Sequence, residues 1–231
     1  MRVRVKFAKY GPMKFIGHLE LMRFLHGAVR RAGLPVKYDE GIRRRMVMSF
    51  AMPLGVGPTS SAEYMDIEMD APVTTQEGLR LLGEQMCGGL EILDFREVDD
   101  GKKTKAMTIV AAAEYDVRFR EGCEPAFNWR EGLQEMMRME TIPWVKTTKK
   151  GTRELDMRPL IYSLETDKEG FHACLCCAVG DNLKPEQLVG MLYEMRGEEM
   201  PPFALVIHRA DLLTRQDGQL ISLGELGNRI E

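Results

Sequence analysis

The chain has 231 residues, of which 44% are hydrophobic and 29% charged, with a net charge of −3; that is room for one large domain or two small ones with a sizeable core. No apolar run approaches the roughly 20 residues of a membrane helix, and the opening MRVRVKFAKYGPMKF alternates charged and apolar residues where a secretory signal has a continuous apolar centre, which points to a cytoplasmic protein. Five cysteines, an odd number, argue against a disulfide framework.

MRVRVKFAKY alternates with period two and predicts a strand. HLELMRFLHGAVRRAG places Leu21, Leu25, Ala28 and Ala32 on one helical face, and Gly33 then Pro35 close it. PVKY and MVMSFAM read as short strands. SAEYMDIEMD sets Tyr64, Asp66 and Glu68 on one face of a strand and Met65, Ile67 and Met69 on the other. TTQEGLRLLGEQMCGG is a second helix, with Thr75 the expected cap and Gly88 and Gly89 its end. LEILDFREV closes a β-α-β-β-α-β order, the ferredoxin-like arrangement.

The polar stretch 99–107 is the expected boundary. Beyond it come a strand (TIVAAAEYDVRFR), a helix with Trp129, Leu133, Met136 and Met137 as its stripe, and a hairpin over 142–166 turned at Lys149, Lys150 and Gly151. Then follow the strand GFHACLCCAVG, a helix opened by Pro185, and the strand PFALVIHRADLL. The expected fold is therefore α/β (α+β): two tandem ferredoxin-like (βαββαβ) halves with antiparallel sheets, at 1–100 and 108–213, and a polar tail at 214–231 for which no structure is predicted.

Charge is unevenly spread. Residues 1–50 hold 12 Lys or Arg against 3 Asp or Glu, while residues 51–100 hold 2 against 11. The first segment either presents a basic face to an anion or is neutralised by the second across a sheet. Arg43, Arg44 and Arg45 stand in a row after the turn Asp39-Glu40-Gly41, and guanidinium groups match phosphate oxygens bidentately. Arg30, Arg31 and Lys37 extend that patch, and Lys146, Lys149, Lys150, Arg153 and Arg158 form a second basic stretch. Two such stretches could line one cleft for a strand of RNA. Asp156 and Arg158 share a strand face and either pair with each other or orient a ligand.

His18 opens the first helix, where an imidazole suits proton transfer near neutral pH; it either acts as an acid/base or holds the β-α junction. His26, His172 and His208 have no evident partner spacing and read as structural. CLCC (174–177) puts Cys174 and Cys176 on one strand face and Cys177 on the other, which suits buried thiols better than a metal site. No P-loop, GxSxG or HExxH motif is present, and neither a cofactor nor a metal is expected.

The stretch KFAKYGPMKFIGHLELMRFLHGAVRRAGLPVKYDEG, with MSFAMPLGVGPTSSAEYMDIEM, LEILDFREV and KTTKKGTRELDMRPLI, resembles the radical SAM-linked proteins of the DUF2344 family. The resemblance covers most of residues 1–165 and implies a radical SAM protein as partner. The chain lacks a CxxxCxxC cluster motif and would be the freestanding partner of that enzyme. Where the family has a loop like GFNPHPKISF, this chain reads GIRRRMVMSF, without the aromatic residue or the prolines that would stiffen it.

The expectation that follows is an accessory protein of a radical SAM enzyme that binds RNA or another phosphate-bearing substrate, with His18 and Arg23 shaping the adjoining pocket. The alternatives are a metal-independent endoribonuclease resembling CRISPR-repeat-processing enzymes, with His18 as acid/base, and a protein-interaction module.

Overall fold

The first strand sets the pattern of the N-terminal sheet. In a computed structural model, which describes residues 1–148, 151–178 and 180–231, β1 (Arg2–Lys9) turns Val3, Val5 and Phe7 into a core. Arg2 and Arg4, one residue out of phase, fall on the opposite face. The chain is mixed α+β, mostly antiparallel sheet with few helices. It divides into two compact units, residues 1–111 with 209–231, and residues 112–208.

In the first unit α1 (His18–Arg31), β2 (Met48–Phe50), β3 (Thr59–Glu68), α2 (Thr75–Gly83) and β4 (Leu90–Val98) follow β1. β1 pairs antiparallel with both β3 and β4, and β2 with the Met65–Ile67 part of β3. Leu21, Leu25 and Val29 of α1 join Val3, Val5, Phe7, Met65, Ile67, Leu82 and Phe95 in one apolar cluster. PVKY forms only isolated bridges, Val36 to Met69 and Tyr38 to Met46.

Thr75 is not the cap of α2. Thr74 is, its hydroxyl accepting from Glu77 N, while the Thr75 hydroxyl donates to Phe95 O at 2.7 Å. The helix also stops at Gly83, short of Gly88. Gly89 then packs in a left-handed conformation against the Tyr10 carbonyl, where a Cβ would lie 2.4 Å from the oxygen.

The polar stretch after β4 is tied down by β1. Arg2 donates to the carbonyls of Asp99, Asp100 and Gly101, and Arg4 to that of Thr104. α3 (Ala106–Ile109) then leads into β5 (Val110–Phe119).

The second unit holds α4 (Trp129–Arg138), β6 (Pro143–Thr148), β7 (Gly151–Asp156), β8 (Ile161–Thr166), β9 (Gly170–Cys176) and α5 (Pro185–Glu194). The strand β10 (Leu205–Gln216) follows, and its order with the others here is β10-β5-β9-β8. The expected hairpin over 142–166 is in fact two features. β6 and β7 pair only with each other, and β8 pairs with β9 after a 3-10 turn at Arg158–Leu160. Pro159 lacks an N–H and cannot extend a ladder there. The turn residues Lys149 and Lys150 lie outside the described residues. Trp129, Leu133 and Met136 are buried on α4, as are Phe171, Ala173 and Leu175 on β9.

β10 continues into the first unit beside β3, turns at Asp217 and Gly218 and returns as β11 (Gln219–Ser222). Both turn residues have positive φ, 50° and 83°, as a two-residue hairpin turn of the primed type requires. The remainder is also fixed: Asn228 bridges to Glu97, and Thr75 N donates to Ile230 O. Among the described residues no helix is long and apolar enough to cross a membrane.

Phe203 has φ 57° while its side chain is 87% exposed. A left-handed backbone at a bulky residue costs about 1–2 kcal/mol, and nothing is recovered by burial. Phe203→Asn is therefore expected to stabilise the protein by about 1 kcal/mol in urea unfolding, since Asn tolerates that conformation; an unchanged or lower midpoint would contradict it.

Candidate functional site

Two places in the first unit carry the residues singled out by sequence, and they lie at different ends of α1. His18 is the first residue of that helix and Arg30–Arg31 its last turn, about 18 Å apart at 1.5 Å per residue.

At the C-terminal end the chain runs through Leu34 and Val36 into a closed loop. Val47 N donates to Lys37 O, Asp39 N to Arg45 O, and the Asp39 carboxylate accepts from Gly41 N and Arg45 N. Arg43, Arg44 and Arg45 are exposed on this loop. Among the described residues none of their guanidinium groups has an ion-pair or hydrogen-bond partner. Of the neighbouring cations two are engaged. Lys37 Nζ stands 3.8 Å from Glu68, Arg31 donates to Gln85, and Arg23 and Arg30 are exposed.

At the N-terminal end His18 is half-buried, edge-on to Phe50 at 5.2 Å between ring centres. Beneath it lie charges that sequence reasoning passed over. Lys9 is fully buried, its ammonium donating to the carbonyls of Ile16 (3.1 Å) and Gly55 (3.2 Å), so it fastens two loops together. Glu63 and Arg209, both buried, form a two-pronged ion pair, and Arg209 also donates to Met52 O.

Burial lowers the His18 pKa from 6.5; the Glu63 carboxylate opposes that shift and the Lys9 charge adds to it. The Lys9 ammonium is likewise lowered by burial, against the pull of Glu63. Lys9 ends an alternating strand, and Arg209 sits in the apolar run LVIHRADLL; a charge inside such a run is the only sequence signal for this cluster.

The second basic stretch is only partly open. Lys146 donates to Asn182 O at 2.7 Å and lies over the Trp144 ring, and Arg158 is half-buried on the carbonyls of Ile161 and Met137. Arg153 is exposed opposite Lys146. Asp156 accepts from the backbone N–H groups of Ile142 and Arg158, so its side chain and that of Arg158 serve different partners.

His172 is not without partners. Its Nδ1 meets Asp116 and its Nε2 lies 3.3 Å from Asp167, beside a cavity of about 290 Å³ that His208 also lines. Cross-strand register creates that group, and no spacing in the sequence shows it. Cys174, Cys176 and Cys177 are buried and outside any disulfide, with the Cys174 thiol pushed up to about 11 by burial and then by Glu114. Among the described residues no group of three or more His, Cys, Asp or Glu is placed to hold a metal ion.

Two outcomes follow from this geometry. Arg209→Met should cost about 3–5 kcal/mol, because it strands a buried carboxylate, whereas Glu63→Met with Arg209→Met should recover most of the loss; equal losses in thermal unfolding would refute the pairing. Because the folded-state pKa of His18 lies below 6.5, the unfolded chain takes up the proton first as pH falls, and stability drains below about 6.5. His18→Gln should shrink the difference in urea midpoint between pH 7.5 and pH 5, and a variant with the full wild-type difference would refute it.

No curated protein matches the chain. Among solved structures it is similar to a chain in the crystal structure of a Cbf5-Nop10-Gar1 complex, at 11% identity and a TM-score of 0.49. The match covers 96% of this chain and 52% of that one, so the chain spans about half its length; a likeness at this level carries no argument. A family model described as "Uncharacterized protein conserved in bacteria (DUF2344)" matches residues 2–185, and the chain belongs to that family.

Proposed function

We propose that this protein is an accessory partner of a radical SAM enzyme and binds RNA, or another phosphate-bearing molecule, through the loop 39–45. The observation that carries the reading is the exposed, unpaired state of Arg43, Arg44 and Arg45 on a loop whose backbone is already closed. Elsewhere in the same unit two buried arginines are paired, Arg4 with Asp66 and Arg209 with Glu63. Three adjacent like charges repel one another, by about 1 kcal/mol per pair at close range in water, and phosphate oxygens relieve that repulsion with charge-assisted bonds.

The radical SAM link rests on the sequence resemblance. The strand orders support reading the chain as two ferredoxin-like halves: β2-β3-β1-β4 in one and β8-β9-β5-β10 in the other each place the strands as a split βαβ unit does. Buried cysteines outside any disulfide suit a cytoplasmic setting.

Binding is favoured over cleavage. Lys9, whose charge acts on His18, and Arg209, the partner of Glu63, are both buried and spent on the protein's own carbonyls and on that carboxylate. Neither is available to a developing phosphorane. A second surface suits the partner enzyme: Phe15, Leu19 and Val56 are 68%, 56% and 60% exposed, and the loops bearing Phe15 and Val56 are joined by Gly57 N donating to Lys14 O.

RNA binding measured across a salt series, with Arg43, Arg44 and Arg45 changed to Ala, tests the reading. The slope of log K against log salt should fall by about 2, at roughly 0.7 per lost phosphate contact on a single strand. An unchanged slope, or no binding by the wild type at low salt, would overturn it.

A further inference from the structure

The tip of the same loop carries a residue that the phosphate contacts do not use. Ile42 has a relative exposure of 107%, above the reference for an extended chain, so folding buries none of it. It stands between Gly41 and Arg43, on a backbone pinned on both sides. Asp39 N donates to Arg45 O, the Asp39 carboxylate accepts from Gly41 N and Arg45 N, and Tyr38 bridges to Met46. The tip is thus ordered before any ligand arrives, which lowers the entropy cost of binding. A β-branched side chain is also stiff at χ1. Tyr38, 38% exposed, stands at the base of the loop.

We infer that Ile42 is a wedge that enters between two stacked bases of RNA while Arg43, Arg44 and Arg45 hold the adjoining phosphates and Tyr38 offers a ring to an unstacked base. The inference rests on the phosphate-binding reading of this loop and names the ligand as base-stacked RNA. An apolar side chain partly unstacks a base step, and the tighter grip on the bent backbone offsets the cost; aromatic rings accept bases of any sequence.

A lipid surface fits the same residues less well. Durable attachment to a bilayer takes about two signals, such as an acyl chain with a polybasic patch, and one isoleucine falls far short of an acyl chain.

The test uses the full chain and an RNA hairpin with 2-aminopurine in its stem, whose fluorescence rises when the base unstacks. Wild type should raise the signal several-fold. Ile42→Ser, at a site with nothing to unpack, should keep the wild-type salt slope, lose the fluorescence rise, and bind about tenfold more weakly, the worth of one buried apolar side chain. A rise as large with Ile42→Ser as with wild type, at an intact salt slope, overturns the wedge and leaves the phosphate reading standing. The same holds if wild type binds with that slope and raises no signal. Failure to bind either the hairpin or a single-stranded RNA at low salt overturns the wedge and the RNA reading together, whether or not phosphatidylserine vesicles bind instead.

Discussion

Buried charge neutralisation is the constraint on which the first unit depends. Arg4 is held by Asp66 in a two-pronged pair inside the sheet, Arg209 by Glu63, and Lys9 by two loop carbonyls. Taking these ions out of water costs several kcal/mol each, and their mutual attraction roughly offsets it. Such pairs therefore add little net stability, but the loss of one partner is severe. What they supply is definition. Arg4 can meet Asp66 only if β1 and β3 lie in one register, and Arg2 can meet the stretch 99–104 only if β1 and β4 do. Arg209 can meet Glu63 only if β10 lies beside β3.

The uneven charge of the sequence finds its account here. Part of the positive charge of residues 1–50 is spent on the carboxylates of residues 51–100: Arg4 on Asp66, Arg2 and Lys37 on Glu68. Arg43, Arg44 and Arg45 are left over. An arginine run in a sequence is weak evidence of function, because most arginines face solvent whatever the protein does. It gains weight here because the fold pairs the buried Arg4 and Arg209 and leaves these three adjacent on an exposed loop. His18 moves the opposite way: it lies over ions already engaged, and burial favours its neutral ring.

The site was legible in part. The arginine loop could be named because three adjacent like charges after a turn cannot all be buried. Lys9, Glu63 and Arg209 could not, because their meeting joins positions up to 200 apart in sequence, and a charged residue in a strand looks the same whether its face is wet or dry. His172 and Asp116 are 56 residues apart and meet only through the pairing of β9 with β5. The β10–β11 turn is different. Asp217-Gly218 is a hairpin signal, but the polar Thr214, Arg215, Gln216 and Gln219 around it make the segment look like an unstructured tail.

By itself the sequence determined what local physics decides. Period-two alternation put Val3, Val5 and Phe7 on one face, and Met65, Ile67 and Met69 on theirs; the 3.6-residue stripe of α1 and its glycine stop set that helix. Those patterns depend on residues within a few positions of one another, where backbone geometry fixes which side chains share a face. The tertiary structure alone decided that Thr74 rather than Thr75 caps α2, that residues 142–166 split into a separate hairpin and a strand of another sheet, and which charges are paired and which are free. Each turns on what lies across the sheet or on the next loop, and that depends on strand register and on the competition among distant partners for the same few buried hydrogen bonds.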